Sequence, residues 1–181
     1  MKKLLALVIA GSALVACSSN KAPVEAPVAS APVAAPVASA PVVSNHNSVY
    51  FAFNKYDIKD DYAGVVKANG SYLAANAAAK VQVQGNTDDI GSVEYNLSLG
   101  QKRADAVKKA LIATGASKAQ VEATSNGKLK AKYANDTSEA RAMNRRADIT
   151  YKAAQPAGYS EDSNGLPMVD GSVYNGTVTE G

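Results

Sequence analysis

Between Lys21 and Val43 the chain reads KAPVEAPVASAPVAAPVASAPVV, with Ala-Pro-Val returning every four or five residues. Each proline locks φ and lacks an N–H, so the segment is neither helix nor central strand. Its expected form is a semi-rigid polyproline-like spacer rising about 3.1 Å per residue. No aromatic or basic residue flanks a PxxP core, which argues against a Pro-rich recognition ligand. The rest of the chain is thereby partitioned. Residues 17–47 are expected to be attachment point and spacer, 48–152 one small folded domain, and 153–181 a flexible tail rich in Gly, Ser and acids. Within that tail SVYNGTVT (172–179) would also suit an edge strand.

The spacer is preceded by MKKLLALVIAGSALVAC. Lys2 and Lys3 form a basic start, Leu4 to Ala10 an apolar run, and small residues lead to Cys17, the secretory pattern. The run is far below the ~20 residues that span a membrane, so residues 1–16 are expected to be a cleaved signal peptide. Leu14-Val15-Ala16-Cys17 resembles the bacterial lipobox, in which the thiol after the cleavage point receives lipid. In lipobox proteins a serine at the second mature position, here Ser18, implies transport to the outer membrane. Lipidation of Cys17, palmitate included, also accounts for a lone cysteine in an exported chain. More than one acyl chain makes such an anchor stable.

The formal net charge is +3, and two of those charges, Lys2 and Lys3, leave with the signal. A chain this close to neutral lacks the basic excess of a nucleic-acid binder. Its one histidine, His46, stands at the end of the spacer, and its one cysteine is assigned to lipid. Cys/His nucleophilic catalysis and histidine-ligated zinc have no parts, and no metal or cofactor is expected. Only a paired-carboxylate hydrolase, drawing on Asp88, Asp89 and Glu94, keeps candidates.

Within the domain, SVYFAF (48–53) and VQVQ (81–84) read as strands, and further strands are expected near Val121–Ser125 and over RADITY (146–151). Asp60 or Asp61 is placed to cap a helix running to Asn76. A second helix is expected from about Val93 to Thr114, with Leu97, Ala104, Val107 and Leu111 on its core face and Gly115 ending it. Gly127 to Glu139 reads as a polar loop. Strands separated by helices predict an α+β two-layer sandwich, a mixed four-stranded sheet with helices on one face.

GNTDDIGSVEYNLSLGQKRADAV (85–107) carries the candidate chemistry. Asn96 and Arg103 are seven residues apart and share a helix face, with Gly100 leaving a side-chain-free gap between them, through which a small group could reach the backbone. Asp88 lies in the loop before that helix. A carboxylate, an amide, a guanidinium and a helix N-terminus would complement a ligand bearing both ammonium and carboxylate. Spacing alone favours Asp88 as a turn or cap residue and Arg103 as a solvated helix charge. Asn144-Arg145-Arg146 is open in the same way, as a basic strand entrance.

Thr87-Asp88, Gly91, Asn96, Leu99-Gly100, Arg103-Ala104 and Asn144-Arg145-Arg146 resemble, in order and spacing, the OmpA-like C-terminal domain family, most closely the peptidoglycan-associated lipoproteins. VYFAFNKYDI (49–58) is similar to that family's opening strand and turn. The resemblance covers about Ser48 to Lys152, and lipobox and linker match the lipoprotein branch. It implies the OmpA-like βαβαβ-β order and non-covalent binding of peptidoglycan through the diaminopimelate of the stem peptide. By position, Asp88 would take the ligand's ammonium and Arg103 its carboxylate, with Asn96 and Arg146 lining the pocket. It further implies a non-enzymatic protein, lipid-anchored in the outer membrane and facing the periplasm, with Tol-system proteins as further partners. A module for protein interaction in the envelope or at a host surface is the alternative. Asn54 stands where the family often has Asp, removing a charge near the pocket rim, and Asn86 where it often has His.

Overall fold

Val81 and Val83 are buried while Gln82 and Gln84, pointing the other way, are half-buried. That alternation makes one strand with a dry face and a polar face. The structure is a computed structural model that describes residues 46–169. In it this strand, β2 (Lys80–Asn86), joins β1 (Ser48–Tyr50), β3 (Val121–Gly127) and β4 (Arg146–Ala153) in a sheet of order β1-β4-β2-β3. β2 and β3 run parallel with Val81 opposite Val121. β4 is antiparallel to both its neighbours, setting Asp148 opposite Ser48 and Ile149 opposite Val83.

A parallel pair needs a crossover, and α2 (Val93–Ala113) supplies it between β2 and β3. Ser92 opens this helix by accepting from Tyr95 N at 3.1 Å, and Gly115, at φ +116°, closes it. Ala104, Val107 and Leu111 of α2 and Val66 and Leu73 of α1 (Ala63–Ala75) form one core with Val81, Val83, Ile149 and Tyr151. Each such aliphatic side chain contributes roughly 1.5–3 kcal/mol on burial. This is the expected α+β sandwich.

Gly100 plays a different part from the one its spacing suggested. A Cβ on Gly85 would fall 1.8 Å from the Gly100 carbonyl oxygen, and one on Gly100 would fall 2.3 Å from Ser125 Oγ. Two strands fill the gap, and no ligand has room there.

Other boundaries differ for local reasons. The ladder of β1 ends at Tyr50, because beyond Phe51 the chain turns through Asn54 at φ +56°. Asp60–Tyr62 forms a 3-10 turn ahead of α1 and gives no side-chain cap. The end of the polar loop folds as α3 (Ser138–Asn144), capped by Thr137 Oγ1 accepting from Ala140 N at 3.1 Å.

The segment expected to start a flexible tail is folded as far as Val169. β5 (Tyr159–Glu161) and β6 (Pro167–Val169) form an antiparallel hairpin that buries Leu166 and Val169. Its anchor is the chain just before β1. Asn47 N donates to Pro167 O at 2.8 Å, and His46 bridges Met168. Asn47, expected in the spacer, is fully buried and donates through Nδ2 to Ile149 O at 2.8 Å. The signal segment, Cys17, the proline-rich repeat and SVYNGTVT lie outside the described residues.

Candidate functional site

At the end of the sheet where β1 finishes and β4 begins, α2 delivers Arg103 fully buried. Its Nε donates to Lys55 O at 2.9 Å, one Nη to Asn86 O at 2.9 Å and the other to Ala52 O at 3.2 Å. The guanidinium lies 5.2 Å from the Phe51 ring centroid. Each Nη carries a second N–H beyond these bonds. A solvated helix charge it is not.

Asp88 is buried beside it, and its partner is Arg145, whose Nη1 stands 3.3 Å from Asp88 Oδ2. Arg145 Nε donates to Phe51 O at 3.2 Å. Asp88 Oδ1 accepts from Ile90 N at 3.3 Å, holding the turn before α2. Two guanidiniums therefore stand close to one carboxylate in a largely buried setting. Burial accordingly lowers the Arg103 pKa to about 10, with Arg145 adding to the drop and Asp88 opposing it. The group still carries its proton at neutral pH.

Asn96, fully buried, donates through Nδ2 to Ile90 O at 2.9 Å and Ser92 O at 3.0 Å. Its Oδ1 has no hydrogen-bond partner. Such an atom is costly unless something donates to it. Asp88, Asn96 and Arg103 are thus gathered around the loop 87–92 and the start of α2.

Arg146 is not brought to this group. It leaves β4 on the face opposite Ala147, Ile149 and Tyr151, and its Nε is 2.9 Å from Asp148 Oδ1. Asp148 also accepts from Ser48 Oγ at 2.7 Å and from Asn86 Nδ2 at 3.0 Å. The arginine beside Asp88 is its neighbour Arg145. The signal was present: counting back by two from Ile149 and Ala147, both core residues, lands on Arg145.

The rim is apolar. Phe53, Tyr56, Ile90, Tyr95 and Leu129 are the exposed large hydrophobic residues among those described. Phe53 and Tyr56 belong to the segment that Arg103 grips, Ile90 and Tyr95 to the loop and first turn around Asp88. Leu129 follows Lys128, whose Nζ donates to Gly91 O at 2.6 Å.

The sequence model of the OmpA family matches residues 50–145, which hold Asp88, Asn96, Arg103 and Arg145. The chain belongs to the OmpA family. A peptidoglycan-associated lipoprotein of Pasteurella multocida is 40% identical over 154 residues, 83% of this chain and 100% of that protein. Another, from Haemophilus influenzae, is 40% identical over 147 residues, 80% of this chain and 95% of its own. Among solved structures, the peptidoglycan-associated lipoprotein of Burkholderia pseudomallei superposes with a TM-score of 0.57 at 44% identity, covering 58% of this chain and 89% of that one. The OmpA family is non-enzymatic, which removes the hydrolase alternative.

Two positions depart from the OmpA-family pattern. Asn54 sits on the rim between Ala52 and Lys55, in a left-handed conformation that asparagine tolerates, and its Oδ1 accepts from Tyr95 Oη. Asn86 offers the site only its main-chain oxygen. Its side chain turns to the other face, where it meets Asp148 and Asn126.

Proposed function

We propose that this OmpA-family chain is an outer-membrane lipoprotein that binds peptidoglycan non-covalently through diaminopimelate, tethering the membrane to the wall. The observation that carries this reading is the buried Arg103 guanidinium, whose three nitrogens each donate to a main-chain carbonyl, close to the Asp88 carboxylate and on the same helix as the unpartnered Asn96 Oδ1. The distal carbon of diaminopimelate bears an ammonium and a carboxylate together. The carboxylate accepts from the second N–H groups of Arg103. The ammonium donates to the free lone pairs of Asp88 and to Asn96 Oδ1. Relatives named for association with peptidoglycan support the ligand class.

The lipobox ending at Cys17 supports anchoring by lipid. Among the described residues no helix is long and apolar enough to cross a membrane. The proline-rich repeat then serves as the spacer between bilayer and wall.

Co-sedimentation with purified sacculi tests the ligand. Lysine-type peptidoglycan keeps the distal ammonium and lacks the distal carboxylate. The protein should pellet with diaminopimelate-type sacculi and stay soluble with lysine-type ones. Equal pelleting with both would show that the charge cluster does not read the zwitterion.

A further inference from the structure

α2 presents a second, exposed stripe beside the buried one. Tyr95, Lys102 and Lys109 recur every seven residues, one position round from Asn96 and Arg103. The chain segment after β1 lies against this stripe. Tyr56, Asp57 and Ile58 face Lys102, Asp105, Ala106 and Lys109 across a cleft of about 430 Å³, within the roughly 300–1,000 Å³ range of small-ligand sites.

The cleft adjoins the charge cluster through consecutive residues. Lys55 O accepts from Arg103 Nε at 2.9 Å, and the next residue, Tyr56, lines the cleft and is 45% exposed. The cleft is thus within reach of a polymer whose peptide arm is seated on the cluster.

The chemistry of the walls selects the occupant. Lys102 and Lys109 balance Asp57 and Asp105, so the lining has no net charge. An anionic peptide arm would meet as much repulsion as attraction there. Tyr56, Ile58 and Ala106 give an apolar floor, and the four charged groups around it offer both donors and acceptors. A neutral ring with one apolar C–H face and a hydroxylated edge complements all of these at once. Lys102 Nζ, 5.6 Å from the Tyr56 ring centroid, already holds one donor over that ring.

We infer that this cleft binds an N-acetylated amino-sugar disaccharide of the same wall polymer, beside the diaminopimelate held by the cluster. The inference rests on the functional reading above, and two probes separate the two. Calorimetric titration of the full chain would use the free L-Ala-γ-D-Glu-diaminopimelate tripeptide and the same peptide carrying N-acetylglucosaminyl-N-acetylmuramic acid. The sugar-bearing probe should bind about ten-fold tighter, equivalent to about 1.4 kcal/mol. Ala106→Arg, which fills the floor, and Lys109→Asp, which breaks the charge balance of the walls, should erase that gain while keeping tripeptide affinity within about two-fold and the unfolding midpoint nearly unchanged. Equal affinity of the wild type for both probes, or a gain that survives both substitutions, overturns the cleft assignment and leaves the cluster standing. The exposed rings would then belong to a protein partner. If the wild type binds neither probe, the reading of the cluster falls, and the cleft assignment with it.

Discussion

Arg145 and Asp88 form an ion pair at 3.3 Å whose side chains are 2% and 5% exposed, with a second guanidinium, Arg103, packed close by. Removing the carboxylate leaves two buried cations together. Asp88→Ala should therefore lower unfolding stability by about 3–5 kcal/mol and abolish co-sedimentation with sacculi. Urea denaturation checks the first and pelleting the second. The exposed neighbour provides the control, since Asp89→Ala should shift stability by no more than about 0.5 kcal/mol. Equal midpoints for the two variants would mean the ion pair is not what neutralises Arg145.

Arg103 has two duties. Its three bonds to Ala52, Lys55 and Asn86 carbonyls tie the segment after β1 to the end of β2. Arg103→Ala should cost about 3 kcal/mol or more, since hydrogen bonds from a charged group contribute roughly 1.5–3 kcal/mol each. Arg103→Lys keeps the charge and loses the fork, so it should fall between alanine and wild type in stability and still bind poorly. Binding is to be measured well below each variant's melting temperature, so that folding and recognition are read separately. Wild-type stability in the alanine variant would show that the three carbonyls have other partners.

The second helix was legible because its core face repeats at a helical period and a glycine stops it. The third was not: seven residues with one capping threonine leave too little pattern to stand out from a polar loop. The hairpin over 159–169 was hidden for another reason. Its strands are three residues long, and what orders them is Asn47, more than a hundred positions away. At the site, spacing put Asn96 and Arg103 on one helix face, but only the resemblance to the OmpA-like pattern joined Asp88 to them. The choice between Arg145 and Arg146 turned on which face of β4 each takes, and that is fixed only once Ala147 and Ile149 are known to be core.

The backbone contact of Gly85 with Gly100 has no slack. Gly85→Ala pushes a methyl into the carbonyl of α2, and about 1–3 kcal/mol or more of destabilisation is expected. Gly64, inside α1, has nothing within 4 Å of its would-be Cβ. There alanine should stabilise the protein by about 0.5–1 kcal/mol through helix propensity. Opposite signs in one thermal unfolding series confirm the packing, and a neutral Gly85→Ala refutes it.

His46 makes stability depend on pH. Its Nδ1 lies 2.7 Å from Tyr50 Oη, and burial pushes the Tyr50 hydroxyl pKa up, so that it keeps its proton. Burial also lowers the imidazole pKa below 6.5, with Asp162 and Asp148 opposing and Arg146 adding to it. The unfolded chain then binds a proton that the folded one refuses. Stability should fall as pH drops through about 6.5 and level off below the folded-state value. His46→Gln should flatten that slope in urea titrations between about pH 7.5 and 5.5. An unchanged slope would assign the dependence to other groups.

Cys17→Ser should leave the folded domain and its pelleting with isolated sacculi intact while releasing the protein from the membrane. Flotation of outer-membrane vesicles after digestion of the wall decides it. A serine variant that still floats would place the anchor elsewhere.

Among the described residues the chain runs from His46 through β1 (Ser48–Tyr50) to Ala52, whose carbonyl is held by Arg103. A tether fixed at its lipid end and at the wall would load this strand along its own axis. The ladder pairing Ser48, Val49 and Tyr50 with Asp148, Ala147 and Arg146 then resists in shear, all its rungs sharing the pull, rather than being unzipped one at a time. Rupture along this path would break the β1 register as a unit, once the contacts of His46 and Asn47 ahead of it have given way.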